Sequence, residues 1–327
     1  ALPISVARIQ ECGDRCFTEG LYEAAKIIFN TINNYSALAS CYVHLKQFQA
    51  AVDAARRANS MQTWKEVNRA CVKAAEFRLA QLSGLHIIAN ADELEDLIQF
   101  YEQRGHIEEL LQLLESGLGH ERAHMGLFTE LGVLFAKFKP DKLMEHLKLF
   151  NNRLNIARLI RACEGNHLWA ELVFLYVHYS EFDHAAETMI ERSPVAWNHR
   201  HFKTVISQVA NIEILYRAID FYLAEAPGEL NDLLATISER VDHARVVQLL
   251  RRQKRLALAQ EYLQSVQAQD LQPVNEALHD LFIDMGYWEQ LAESVGQHKN
   301  FDQLELALRL ERHEQLLARR IAALLYR

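Results

Sequence analysis

Apolar residues fall along this chain in short bursts with i, i+3, i+4 spacing, separated by polar breaks of three or four residues. The stretch from Arg158 to Glu191 shows the pattern most plainly. Leu159, Ile160, Ala162 and Cys163 make one burst, and Leu168, Leu172, Phe174 and Leu175 a second. Phe182, Ala185, Ala186, Met189 and Ile190 make a third. Such spacing predicts helices with one buried face. The breaks are Glu164-Gly165-Asn166-His167 and Tyr179-Ser180-Glu181. Each is followed by a bulky residue and, three positions on, a small or aliphatic one: Trp169 with Leu172, Phe182 with Ala185. A pair of short helices joined by a tight turn cannot bury its apolar face alone. It needs a copy of itself on either side.

The same turn-then-helix unit recurs throughout. Tyr22 leads to Ala25, Phe48 to Ala51, Phe77 to Ala80, Ile107 to Leu110 and Leu154 to Ala157. Later come Leu256 with Ala259, Trp288 with Leu291 and Phe301 with Leu304. Tyr22, Phe48, Phe77 and Ile107 are 26 to 30 residues apart, the length of a helical hairpin, and such a period marks a solenoid. The small residue lets neighbouring helices approach to about 8–10 Å.

A longer period is also present. A shift of 136 superposes Leu94, Asp96, Leu97 and Arg104 on Leu230, Asp232, Leu233 and Arg240. A shift of 147 superposes Leu131, Leu134 and Phe135 on Leu278, Leu281 and Phe282. The difference predicts an insertion of about eleven residues, placed in the polar stretch Gln267–Gln272 before Pro273. One full copy of this super-repeat then runs over residues 85–230, between the end of one copy in 1–84 and the start of another in 231–327. The predicted fold is all-α: a right-handed α-α superhelix, or α-solenoid, of short helical hairpins. About ten stacked hairpins make an elongated rod on the order of 100 Å long.

Composition agrees. Five prolines and twelve glycines leave no room for a long linker, and no Asn-Gly or Asp-Gly hairpin turn occurs. Pro140, Ser193-Pro194 and Ala226-Pro227-Gly228 mark the clear helix boundaries. A formal net charge of −8 lacks the electrostatic footprint of a nucleic-acid binder. The basic run Arg251-Arg252-Gln253-Lys254-Arg255 reads as the charged end of one helix and its turn. Cys12, Cys16, Cys41, Cys71 and Cys163 are odd in number and irregularly spaced, so they are expected as reduced, mostly buried thiols of a cytosolic protein. No apolar run spans a membrane, and the start, ALPISVARIQECGDR, reads as neither signal peptide nor anchor. Both ends have the character of mid-helix, as in a segment of something longer.

Little in the chain resembles catalytic chemistry. His120-Glu121-Arg122-Ala123-His124 matches the letters HExxH and would set two histidines on one helix face. No third ligand follows in a recognised spacing, and the run comes after Gly117-Leu118-Gly119 at a hairpin turn, so a polar helix start is expected. His199-Arg200-His201 beside Trp197 is the other histidine-rich point. Phosphate-cradle and nucleophile-elbow motifs are absent. The reading is of no enzyme, no cofactor and no metal.

Several segments closely resemble the clathrin heavy-chain family. They include ADELEDLI (91–98), ERAHMGLFTEL (121–131), FKP (138–140), LWAELVFLY (168–176), YRAIDFYL (216–223), LNDLL (230–234), NFDQLELALRLE (300–311) and RRIAALL (319–325). The resemblance covers essentially the whole chain and corresponds to the proximal leg of the triskelion, built from repeats of about 145 residues. It implies a structural lattice protein of coated pits and coated vesicles, acting in endocytosis and vesicle traffic on the cytoplasmic face. Its partners would be other heavy-chain legs and the clathrin light chain, with no nucleic acid and no membrane insertion. It also implies light-chain contacts at Lys137, and at Leu291 beside Trp288, while a second family lysine falls at Ala226. The segments SPVAWNHRH and RRQKRLALAQEYL, after about residue 190, depart from animal sequences and suggest a distant member. Composition by itself leaves open another α-solenoid scaffold, such as a vacuolar-sorting subunit.

Fifteen histidines in an acidic chain suggest that pH tunes contact between legs, since histidine charges near pH 6.5. His86 and His243, about one super-repeat apart, are the candidate pH-sensitive positions, with assembly favoured by mild acid. A buried core histidine is the plainer reading for His86.

Overall fold

The computed structural model describes residues 6–121 and 123–327. These residues form 22 α-helices and six short 3-10 turns, with no strand among them. Successive helices pack as hairpins, for example Tyr35–His44 with Phe48–Ala58 and Met61–Lys73 with Phe77–Ile88. The fold is an all-α solenoid of helical hairpins. The reading of residues 1–5 as neither signal nor anchor lies outside the described residues. No helix of the described residues is long and apolar enough to cross a membrane.

Contacts divide the chain into two units, one ending at Leu168 and the other beginning at Trp169. The first buries Phe29, Trp64, Val67, Cys71, Ile87, Leu110, Phe128 and Leu131 along its hairpins. In the second, a continuous core joins Ala185, Met189, Phe202, Leu215, Leu234, Val246, Leu263, Leu278, Leu291 and Leu310. Each fully buried Leu or Phe is worth about 1.5–3 kcal/mol. Of the thiols, Cys41, Cys71 and Cys163 are buried, whereas Cys12 is exposed and Cys16 half-buried; all five are free.

The tight turns share one backbone solution. A residue one or two past the helix end donates its N–H to a carbonyl three residues back, and the next residue donates to one five back. Ala75 N bonds Val72 O at 3.1 Å and Glu76 N bonds Cys71 O at 2.9 Å. At the following hairpin Gly105 N bonds Glu102 O at 3.0 Å and His106 N bonds Tyr101 O at 3.1 Å. This motif needs a left-handed residue. Gly105 supplies one at φ 76°, but elsewhere Asn33, Lys46, Ala75, His167, Ser180 and Lys254 adopt φ between 55° and 61°. That use of ordinary residues is why so many turns coexist with so few glycines. The bulky residue then opens the next helix, and the residue three on is buried: Ala25, Ala51 and Ala185 at 0% exposure, Ala80 at 1%.

Two of the expected pairs differ. Ala157 and Leu304 face solvent, the latter 63% exposed. In both places the helix begins two residues later than the pattern suggests. Asn155 and Asp302 cap Ile156–Gly165 and Gln303–Glu311, each side chain accepting a backbone N–H from the first turn. Leu154 and Phe301 therefore stand just outside the helix, and the residues in register to pack against them are Leu159 and Leu306, both buried.

The long period is visible in the elements. The 147-residue shift carries Met125–Phe138 onto Gln272–Met285 and the cap Asn155 onto Asp302. The insertion is not a polar loop at Gln267–Gln272. It is a short helix, Gln260–Val266, flanked by 3-10 turns Leu256–Ala259 and Gln267–Gln269, and it buries Tyr262 and Leu263. The described residues of the run His120–His124 are not helical. They lie between Ile107–Gly117 and Met125–Phe138, and His124 Nε2 stands 3.0 Å from Ile88 O.

Candidate partner-contact surfaces

Lys137 lies in the last turn of Met125–Phe138 and is exposed. Its ammonium pairs with Glu102 at 2.9 Å and sits 4.8 Å from the centre of the Phe138 ring. Lys139 faces Glu108 at 3.7 Å, and Lys142 pairs with Glu115 at 2.7 Å. The lysines that follow each other around Pro140 thus each meet a carboxylate of the preceding hairpin. Phe138 is 38% exposed among them. The result is a surface of alternating charge with an aromatic ring at its centre. It suits a charged, amphipathic partner segment better than a uniformly acidic or basic one, and its pairs are exposed enough to rearrange at little cost.

The second expected contact falls in the other unit. Trp288 opens the helix Trp288–Gln297, half-buried, with its ring edge-on to His313 at 4.6 Å. Leu291, three residues on, has 0% exposure. Its place is the packing position of the turn motif, so it offers no surface to a partner; Trp288 and the exposed Tyr287 do. Ala226, where the resemblance implied a second lysine, follows the helix Ile212–Glu225 and is half-buried against the core.

The two candidate pH-sensitive histidines exchange roles. His86 is not in the core. Its ring stacks on Trp64 at 4.2 Å with its outer side exposed, and burial, then Arg56 and His120, lower its pKa below the usual histidine range. Both effects oppose its protonation, against the expected gain of charge in mild acid. His243 is the buried one, 8% exposed, with Nδ1 2.6 Å from the Tyr262 hydroxyl. A ring enclosed in this way offers no surface to a partner.

Sequence reasoning passed over a cluster in the second unit. His199, first residue of the helix His199–Ile206, places Nε2 2.9 Å from Asp232 Oδ2 and 3.5 Å from Glu229 Oε2. Lys203 holds the other oxygen of Asp232 at 2.5 Å, and His199 Nδ1 lies 2.8 Å from the hydroxyl of fully buried Tyr222. Hydrogen bonds from Lys203, then His199, lower the Asp232 pKa. A signal was present: the 136-residue shift that superposes Asp96 on Asp232 also superposes Glu93 on Glu229.

The family described as "Clathrin: Region in Clathrin and VPS" matches residues 5–79, 85–230 and 234–327. This chain belongs to the clathrin heavy-chain repeat family. It is 54% identical over 323 residues to clathrin heavy chain 1 of Oryza sativa subsp. japonica, which covers 99% of this chain and 19% of that protein. To the clathrin heavy chain of Dictyostelium discoideum it is 53% identical over 321 residues, covering 98% of this chain and 19% of the relative. Clathrin heavy chain 2 of Homo sapiens is 50% identical over 321 residues, with 98% and 20% covered. The chain thus spans about a fifth of the length of the clathrin heavy chains it matches.

Proposed function

We propose that this chain is a structural leg segment of a clathrin coat. In that role it packs along other heavy-chain copies in the polyhedral lattice of coated pits and vesicles, on their cytoplasmic side, and catalyses nothing. The observation that carries this reading is identity of half or more to clathrin heavy chains over almost the whole chain, which favours a coat leg over a vacuolar-sorting scaffold. Its hairpin architecture supports it: many small, repeated surfaces sum to a stable assembly in which each contact stays weak and reversible. Residues 1–84, 85–230 and 231–327 are then the end of one heavy-chain repeat, a complete one and the start of a third.

Exchange of this segment into a full-length clathrin heavy chain tests the reading. Purified triskelia carrying it should sediment as cages and show closed polyhedra by electron microscopy. Triskelia that form but never close cages would contradict it.

The light chain is the second partner, bound as a helix, with a charged contact at Lys137 in the first unit and a separate apolar contact at Trp288 in the second. Lys137→Glu should lower light-chain affinity about tenfold, roughly the 1.4 kcal/mol expected when an exposed pair is replaced by repulsion. Circular dichroism should not change. Equal affinity in the variant would remove Lys137 from the contact.

A further inference from the structure

A pair of carboxylates three residues apart occurs twice, one long repeat apart: Glu93 with Asp96, and Glu229 with Asp232. In the first copy Lys65 bridges both, a permanent cation for the pair. The second copy is built differently. Lys203 takes one oxygen of Asp232 only. Glu229 has no lysine or arginine partner among the described residues, and faces the imidazole of His199 instead.

One imidazole nitrogen and two carboxylate oxygens thus converge, all within 4.8 Å of one another. His199 Nε2 lies 2.9 Å from Asp232 Oδ2 and 3.5 Å from Glu229 Oε2. Ligand atoms at about 2.0–2.1 Å from a tetrahedral ion are roughly 3.3 Å apart, so the set closes on such an ion with small side-chain movements. We propose that His199, Glu229 and Asp232 form a binding site for a divalent transition ion of the zinc class, with the remaining coordination position left to water.

The groups around the set fit that role. An ion displaces the Nε2 proton that otherwise bonds Asp232, and the buried Tyr222 hydroxyl at 2.8 Å can then accept from Nδ1–H, which leaves the Nε2 lone pair for the metal. Trp197 and Tyr222 pack beside the His199 ring and fix its plane. Lys203 occupies the second Asp232 oxygen, so Asp232 offers a single ligand atom. With neutral imidazole the four side chains carry one net negative charge, which favours a cation. The imidazole selects zinc-class ions over calcium or magnesium, which prefer oxygen alone. The ligands come from the start of His199–Ile206, the 3-10 turn Pro227–Glu229 and the helix Leu230–Ile237, so a bound ion ties three elements of the second unit together.

The experiment is titration of the 327-residue chain with cobalt(II) at neutral pH, read by visible d–d absorption and displaced by zinc. One saturable site is expected. His199→Gln and Glu229→Gln should each weaken it about tenfold or more with unchanged circular dichroism. Asp96→Asn, in the lysine-bridged copy, should not alter it. Absence of a saturable band, or a band of equal affinity in His199→Gln and Glu229→Gln, overturns the site. Loss of the band in Asp96→Asn would assign it to the other carboxylate pair and also overturn it.

Discussion

Met125–Gly165 and Ile212–Arg252 are the same backbone built from different side chains, 87 residues apart. Each begins with a 14-residue helix, Met125–Phe138 or Ile212–Glu225. A 3-10 turn opened by Pro140 or Pro227 follows, then an eight-residue helix, Leu143–Phe150 or Leu230–Ile237. A second 3-10 turn leads to Asn155 or Asp242, which caps Ile156–Gly165 or His243–Arg252. Even the support beneath the cap agrees. The backbone N–H of Asn155 donates to the Thr129 hydroxyl at 2.9 Å, and that of Asp242 to the Tyr216 hydroxyl at 2.9 Å. Yet where one buries His146 the other buries Leu233, and where one buries Ile156 the other buries His243. A proline at a turn start, an Asx cap, one hydroxyl and a few leucines are enough to set the path of the chain. The remaining core positions need only comparable volume.

The largest expected effect tests whether shared path means shared packing. Leu147 and Leu234 are equivalent and both fully buried. Leu147→Ala and Leu234→Ala should each cost about 2–5 kcal/mol in urea denaturation. A loss below 1 kcal/mol in one of them would break the equivalence. Next come the hydroxyls. Thr129→Val and Tyr216→Phe each leave a cap N–H without its acceptor, and should cost about 1–3 kcal/mol. If Tyr216→Phe proves neutral while Thr129→Val is not, the second region is held by Arg245 stacked 3.9 Å over the Tyr216 ring rather than by the hydroxyl.

Acid should separate the regions. Burial lowers the His146 pKa, although its bond to the Phe128 carbonyl opposes the shift. The unfolded chain takes up this proton near pH 6.5 and the folded one does not. Stability contributed by neutral His146 is therefore full above pH 6.5 and lost as pH falls toward the folded value, by at most about 1.4 kcal/mol per pH unit. His279, pushed down to about 4 by burial, acts in the same direction within the second unit. His146→Leu, which copies Leu233, should flatten the pH dependence of hydrogen exchange in Leu143–Phe150. An unchanged slope would show that His146 titrates alike in the folded and unfolded chain. The smallest effect concerns the turns. Ala75 holds the left-handed position that Gly105 holds at the next hairpin. Ala75→Gly should stabilise by about 0.5–1 kcal/mol, read as a higher urea midpoint; a lower midpoint would show that unfolded-state entropy outweighs the relieved strain.

The hairpins were legible in the sequence because a bulky residue followed by a small one marks a local turn, and local geometry is written locally. Leu154 and Phe301 misled because the Asx caps that follow them move the helix start by two residues. Leu256 with Ala259 signalled the start of the inserted helix, but the insertion was placed in the glutamines after it, which look like loop, while Tyr262 and Leu263 carry its burial. Leu291 could be placed in its hairpin from sequence, but whether its side chain faced a partner or the core could not. His199 was visible only as a histidine near a tryptophan. Its partners Glu229 and Asp232 lie 30 and 33 residues away, and only folding brings them to it.

Hydrogen exchange on Leu234→Ala tests most directly the claim that this is a stack of hairpins, each stabilised by its neighbours. Exchange should rise in Leu230–Ile237 and in the helices packed on it, His199–Ile206, Ile212–Glu225 and Gln260–Val266, and stay at wild-type rates in hairpins such as Tyr35–Ala58. A uniform rise along the whole chain would mean one cooperative globule, and would contradict the account.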